Sequence, residues 1–211
     1  GVKLGITPEQ VQRCVAELGV GFMFAQAHHG AMKHVGPIRV ELGIRTVFNL
    51  IGPLSNPASA PYQVLGVFAE EWITPLANVL KALGSQAAWV VHGSDGLDEL
   101  TTTGPSSVAQ LKDGQVTRFT ITPEDAGLPI ADPQSLVGGD PDYNAKALTA
   151  LLTGEKSAYR DIVLLNAAAG LVVAGLANDI KNGVTKAAAT VDSGAAKARL
   201  DALVRASNGF K

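Results

Sequence analysis

An α/β domain with a central mixed, mainly parallel sheet flanked by helices is the fold class that the sequence predicts, and three observations predict it. Tyr62 to Phe68 is rich in β-formers, Trp72 to Leu83 has helical apolar spacing, and Ala87 to Val91 is a wholly apolar run bounded by Gly and polar residues. Strand, helix, strand in that order is a parallel βαβ unit whose second strand is buried on both faces. Helical patterns then dominate from Tyr143 to the end.

The remaining elements follow in order. Thr7-Pro8-Glu9-Gln10 places a capping residue, a proline at the first helical position and a glutamine three residues after the cap, which predicts a helix to about Leu18, ended by Gly19. Gly21 to Ala25 reads as a short strand, the His28-His29 segment leads into a short helix, and Pro37 opens another carrying Arg39 to Leu42. Val108 to Leu111 and Val116 to Ile121 flank Asp113-Gly114, whose residues tolerate positive φ and predict a small antiparallel hairpin insertion. Thr122-Pro123-Glu124-Asp125 starts a short helix, and Leu128 to Asp142 reads as an ordered loop. Asn144 to Leu152, Tyr159 to Leu176 and Ala195 to Ala206 show apolar helical spacing, with Ser193 expected to cap the last. No repeat or interdomain linker interrupts residues 1–211, which are expected to form a single α/β domain.

Composition narrows the function classes. With 46% hydrophobic residues in 211, a sizeable core is affordable, and 17 basic against 19 acidic residues give a net charge of -2 that attracts neither nucleic acid nor an anionic membrane. The longest apolar run, Ile162 to Ala177, contains Asn166 and falls short of the roughly 20 residues that span a bilayer. One cysteine, Cys14, excludes an internal disulfide framework and a four-ligand zinc site of the Cys type, and fits a reducing, cytoplasmic compartment. The chain opens on Gly1 without Met, almost directly on a capped helix, and reads as a piece of a longer or processed chain.

Two polar constellations carry the chemistry. Between Phe22 and Pro57 the chain brings together His28, His29, Arg39 and Arg45, with Gly30 and Gly36-Pro37 allowing it to fold back so that His29 and Arg39 reach one pocket. A guanidinium grips both oxygens of a carboxylate where lysine offers a point charge, so the constellation suits a small aromatic or carboxylated ligand. Taken singly, Arg39 reads as a surface or ion-paired residue. Gly52-Pro53-Leu54-Ser55-Asn56-Pro57 reads as a rigid turn whose amides approach a ligand closely. After the apolar strand come His92, Asp95, Asp98 and Glu99, with Gly93 and Gly96 for flexibility, at the strand end where open α/β sheets bind ligands. Their oxygens suit a magnesium ion that keeps waters and shares a substrate phosphate; the alternative is a solvated turn with capping aspartates. Gly138-Gly139-Asp140, with no strand before it, is read as structural.

With those residues in view, the chain closely resembles the C-terminal part of the anthranilate phosphoribosyltransferase family. The matching motifs are Phe24-Ala25, His29-x-Ala31-Met32-Lys33, Arg39-x-x-Leu42-Gly43-x-Arg45-Thr46-x-Phe48-Asn49, Gly52-Pro53-Leu54-x-Asn56-Pro57, Gly96-x-Asp98-Glu99, Gly138-Gly139 with Asn144-Ala145, and Leu165-Asn166-Ala167-Ala168. The resemblance implies a fold of the nucleoside phosphorylase and phosphoribosyltransferase type, and transfer of ribosyl phosphate from phosphoribosyl pyrophosphate (PRPP) to the amino group of anthranilate, releasing pyrophosphate. It implies that Arg39 binds the anthranilate carboxylate, that Ala25, His29, Met32 and Gly52 shape the pocket, and that Asp98 and Glu99 hold Mg2+ on the sugar pyrophosphate.

The chain departs from the family pattern at Gly30, where proline is usual, loosening the entry to the short helix. The family's upstream helical domain, through which its homodimer forms, its Gly-Thr-Gly-Gly-Asp pyrophosphate loop and its Lys-His-Gly segment do not occur in these residues, so this piece alone is expected to be inactive. A pyrimidine nucleoside phosphorylase is the nearer alternative, and a non-catalytic relative that binds nucleic acid the more distant one. Arg39 and the Gly52 to Pro57 segment favour anthranilate.

Overall fold

The computed structural model of the protein describes residues 1–24, 41, 43 and 48–210. The chain divides into two compact units, Gly1–Ile51 with Gly194–Lys211, and Gly52–Ser193.

In the first unit, helix α1 (Pro8–Leu18) starts at the expected capping box. The Gln10 N–H donates to Thr7 Oγ1 at 3.3 Å, and the Thr7 N–H donates to Gln10 Oε1 at 2.8 Å. Gly19 ends the helix at φ 73°, a left-handed conformation that suits glycine. Val11 and Cys14 on the inner face pack with Ile6 and with Leu203 of the C-terminal helix (Ala195–Gly209), which makes Cys14 a core residue. Gly21 to Phe24 do not form the expected strand. A Cβ on Gly21 would sit 2.8 Å from Val15 Cγ2, so the chain after Gly19 lies against α1. Ala25, the end of that expected strand, lies outside the described residues, as do the expected helical segments at His28-His29 and at Pro37.

Helix α2 (Phe48–Leu54) also differs from expectation, because Gly52-Pro53 lies within its last turn. Pro53 has no N–H to continue the helical ladder, and the Ser55 N–H donating to the Gly52 carbonyl at 3.1 Å closes the helix exit with a tighter turn.

The second unit is built on a four-stranded sheet among the described residues, in the order β1 (Tyr62–Gly66), β2 (Ala87–Gly93), β3 (Ser106–Lys112), β4 (Gln115–Ile121). β1 and β2 are parallel, with Tyr62 beside Ala87 and Gly66 beside Val91, and helix α3 (Ile73–Ala82) crosses between them after a single 3-10 turn at Glu70–Trp72. Ile73, Leu76, Ala77 and Leu80 recur at helical spacing and are buried, so α3 covers β2 and β3 with one apolar stripe. Ala88 to Val91 are all buried, as a strand covered on both faces requires.

The sheet is mixed, as expected, with one parallel and two antiparallel pairings among its described strands. The hairpin expected as a small insertion instead pairs directly with β2 and continues the sheet. Asp113 and Gly114, at φ 50° and 72°, make the two-residue turn that the strand twist favours.

Helices complete the unit: α4 (Pro141–Leu152) capped by Asp140, α5 (Ala158–Val173) capped by Ser157, and α6 (Ile180–Asp192) capped by Asp179. The sequence pattern did not single out α6, whose Ile180, Val184, Ala187 and Val191 form a buried stripe. It approaches α5 closely at Gly183, where a Cβ would lie 2.8 Å from Ala168 Cβ. The next helix, α7 (Ala195–Gly209), is not capped by Ser193. Gly194 occupies that position at φ 76°, while the Ser193 hydroxyl donates to the Thr190 carbonyl at 3.0 Å and finishes α6. α5 packs on β1 and β2, and Asn166 in its middle reaches Leu100 in the loop after β2. Among the described residues no helix is long and apolar enough to cross a membrane.

Candidate functional site

The acidic segment lies where the sequence placed it, in the loop after β2. The Gly93 N–H donates to the Leu97 carbonyl at 2.9 Å, and the Ser94 N–H donates to the Pro105 carbonyl at 3.0 Å, tying the two ends of the loop together. Gly96, at φ 91°, turns the chain back. A Cβ on Gly93 would lie 2.7 Å from Asp95 Oδ1 and 3.1 Å from the Glu99 carbonyl, so the loop folds directly over the strand end.

Asp95 holds this loop together. Its Oδ2 accepts from the Thr101 hydroxyl at 2.6 Å and the Thr103 hydroxyl at 2.7 Å, and its Oδ1 accepts from the Leu97 N–H at 3.2 Å. Partial burial pushes its pKa up, but the threonine hydroxyls and backbone N–H groups outweigh that and leave the carboxyl below its ordinary range. Thr101 is itself buried and donates its N–H to Ser106 Oγ at 2.9 Å, linking the loop to the start of β3.

Asp98 and Glu99 are exposed residues of the loop. The Glu99 carboxyl is pushed above its ordinary range, first by desolvation and then by the charge of Asp98 beside it. The Asp98 backbone rests on β1 at Gly66, where a Cβ would overlap the Asp98 carbonyl oxygen. Glycine is needed at that position because another chain segment crosses it.

Immediately after Glu99, Leu100 is fully buried and gripped from α5. Its N–H donates to Asn166 Oδ1 at 3.0 Å, and Asn166 Nδ2 donates to the Leu100 carbonyl at 2.8 Å. The same amide group also donates to the Ile162 carbonyl at 3.0 Å. His92 is turned to a structural partner: its Nδ1 lies 2.8 Å from the Val67 carbonyl, and since a carbonyl only accepts, Nδ1 carries the proton.

The donor set fits a magnesium ion. Asp98 and Glu99 are neighbouring oxygen donors, the hard ligand type that a divalent cation prefers. Among the described residues no group of three or more His, Cys, Asp or Glu side chains forms an enclosed cage. A pair of this kind suits a cation that completes its shell with water and substrate oxygens.

Of the other expected site residues, Gly52 is half-buried in α2, and no atom of the described residues beyond its own helix lies within 4 Å of where its Cβ would be. Ala25, His29, Met32 and Arg39, together with His28, Gly30 and Arg45, lie outside the described residues. At Gly138-Gly139, Asn144 accepts from the Gly139 N–H at 2.9 Å and donates to its carbonyl at 2.8 Å. A cavity of about 510 Å3 lined by Tyr62, Trp89, Lys112 and Asn178 opens at the start of β1 and β2, away from the carboxylates.

Sequence reasoning singled out neither Gly66 nor the roles of Thr101, Thr103 and Asn166. A polar side chain interrupting the apolar run from Ile162 to Ala177 was the signal for Asn166, because a side-chain amide in such a place needs partners.

A parallel βαβ unit extended by a hairpin, flanked by helices and carrying a carboxylate pair after a strand end, is an α/β domain with the acidic loop at the ligand-binding end of its strands. Residues 1–197 match the model of the glycosyl transferase family, a/b domain, and the chain belongs to that family. It is 61% identical over 209 residues to an anthranilate phosphoribosyltransferase of Bradyrhizobium diazoefficiens, covering 99% of this chain and 62% of that protein. The structure of anthranilate phosphoribosyltransferase from Thermus thermophilus superposes with a TM-score of 0.91 at 44% identity, covering 99% of this chain and 62% of that one. The Saccharomyces cerevisiae anthranilate phosphoribosyltransferase in complex with PRPP and Mg gives a TM-score of 0.88 at 28% identity, over 98% of this chain and 59% of that one. The chain thus spans about 62% of the length of the first two.

Proposed function

We propose that residues 1–211 are the α/β catalytic portion of an anthranilate phosphoribosyltransferase, which transfers the 5-phosphoribosyl group from PRPP to the amino group of anthranilate and releases pyrophosphate. The observation that carries this reading is the Asp98–Glu99 pair, braced at the carboxyl end of the sheet in a chain so similar to anthranilate phosphoribosyltransferases. By the same resemblance the whole enzyme is a cytoplasmic homodimer joined through an upstream helical domain, and nucleic acid is not a partner.

Each residue has a defined task in this reaction. Arg39 takes both oxygens of the anthranilate carboxylate and so aims the neutral amine at the sugar. Ala25, His29, Met32 and Gly52 form the wall of that pocket. Asp98 and Glu99 hold Mg2+, which when bound offsets the negative charge gathering on the departing pyrophosphate. The bond from the ribose carbon to the pyrophosphate oxygen breaks as the bond to the anthranilate nitrogen forms. An aniline nitrogen is nucleophilic as it stands and sheds its proton after attack, so the site needs neither a covalent nucleophile nor an obligatory base, and His29 serves to shape the pocket.

The test uses the whole polypeptide in which this sequence occurs, following loss of anthranilate fluorescence with PRPP and Mg2+. Turnover is expected, and Arg39→Ala should raise the KM for anthranilate by about 10- to 100-fold, far more than that for PRPP. Phosphorolysis of thymidine without turnover of anthranilate would replace this reading with a pyrimidine nucleoside phosphorylase. Salt-dependent retardation of DNA with no turnover would point to a nucleic-acid-binding relative.

A further inference from the structure

We propose that Asn166, on α5, is a positioning residue for the metal-holding carboxylates, acting through its double hydrogen bond to the backbone of Leu100; the inference rests on the reading of Asp98 and Glu99 given above. Leu100 follows Glu99 directly and has no solvent exposure, so its N–H and C=O cannot turn to water if the amide is lost. Asn166 satisfies both, at 3.0 and 2.8 Å, as a neighbouring strand would. The contact spans 66 residues of sequence and joins the loop to the middle of a sixteen-residue helix.

Three tethers therefore fix the acidic pair. Gly66 of β1 supports the Asp98 backbone from one side, Asp95 gathers Thr101 and Thr103 on the other, and Asn166 holds the residue between them. The Gly66 contact restrains the loop relative to the sheet, and the Asp95 hydrogen bonds close the loop on itself. The Asn166 contact restrains the chain on the carboxyl side of Glu99 relative to a helix, removing the freedom of the pair to rotate about the strand end. An asparagine is otherwise a poor choice in this helix. It is a weaker helix former than alanine or leucine, and it interrupts an apolar run. Its hydrogen bonds to Leu100 are what that choice provides. Groups that orient metal-holding side chains from behind typically change metal affinity by about 10- to 100-fold when removed.

The experiment compares Asn166→Ala, Asp98→Asn and Leu80→Ala with the unaltered whole polypeptide. Mn2+ binding in the presence of PRPP is read from water-proton relaxation, and the half-saturating Mg2+ concentration is read from turnover. Leu80, buried in α3, serves as a control for lost stability. Asn166→Ala is expected to weaken Mn2+ binding and raise the Mg2+ requirement by about tenfold, whereas Leu80→Ala lowers the melting temperature and leaves both metal readouts unchanged. Should Asn166→Ala not fold, Asn166→Leu, which refills the space with a better helix former, carries the same comparison. Unchanged metal readouts in the Asn166 variant, together with weakened binding in Asp98→Asn, would overturn the positioning role alone. Unchanged readouts in Asp98→Asn would overturn the reading of the carboxylate pair and this inference with it. An equal metal defect in Leu80→Ala would reduce Asn166 to general stability.

Discussion

Gly66 and Asp98 share one place: the Asp98 carbonyl occupies the position that a side chain on Gly66 would fill. The end of β1 is thereby the bed on which the acidic loop rests, and the loop cannot be displaced without moving a strand or losing the contact. Gly66→Ala should cost about 3 kcal/mol, measured by urea unfolding, and should weaken Mn2+ binding because the clash pushes Asp98 from its bed. A variant with wild-type stability and metal binding would show that the loop is free to lift.

Asp95 gives a second expectation. Asp95→Ala leaves the Thr101 and Thr103 hydroxyls without their shared acceptor, and should destabilise the protein by about 2 kcal/mol at neutral pH. Because the folded protein holds this carboxyl below its ordinary range, the stabilisation is complete above the unfolded value and is lost as pH falls through the lower folded value. Melting curves of the two proteins should converge under strongly acidic conditions. A gap that widens with acid would contradict the hydrogen-bond account.

Glu99 behaves in the opposite sense. Its folded pKa is raised, so its ionised form weakens the fold once pH exceeds the raised value, and no such cost exists below the ordinary glutamate range. Glu99→Gln should therefore raise the melting temperature at pH 7 by about 1–2 °C, solvent screening keeping the effect small. The gain should vanish at low pH. Destabilisation by Glu99→Gln at pH 7 in the absence of metal would reverse the assigned cause.

Arg160 is buried, and its guanidinium reaches the more exposed Asp192 at 2.7 Å while Nε has no hydrogen-bond partner among the described residues. A buried charge so partly satisfied contributes little net stability. Arg160→Met should stay within about 1 kcal/mol of wild type by urea unfolding. A loss several times larger would indicate that the pair specifies the packing of α5 against α6.

What could be read in advance divides along the distance over which the determining contacts act. Thr7 with Gln10 and Asp113 with Gly114 specify a helix start and a hairpin through chemistry contained within four residues, and both were legible. The burial of Ala88 to Val91 and the acidic loop after them were legible for the same reason, since an apolar run and its exit are local features. Gly21 to Phe24 misled because an apolar run carries no mark of whether it will pair with a strand or lie on a helix. Gly52-Pro53 misled because turn residues are also tolerated where a short helix ends. The support of Asp98 by Gly66 and of Leu100 by Asn166 joins distant parts of the chain, and no local pattern encodes it.

Asn144 at Gly139 and Asn166 at Leu100 each hold both the N–H and the carbonyl of one residue, and they share a chemical vulnerability. Deamidation would put a carboxylate oxygen where the NH2 group now faces a carbonyl, turning each attraction into an opposition of two lone pairs. Loss of ammonia from an ageing sample at Asn166 would loosen the acidic loop without altering Asp98 or Glu99 themselves.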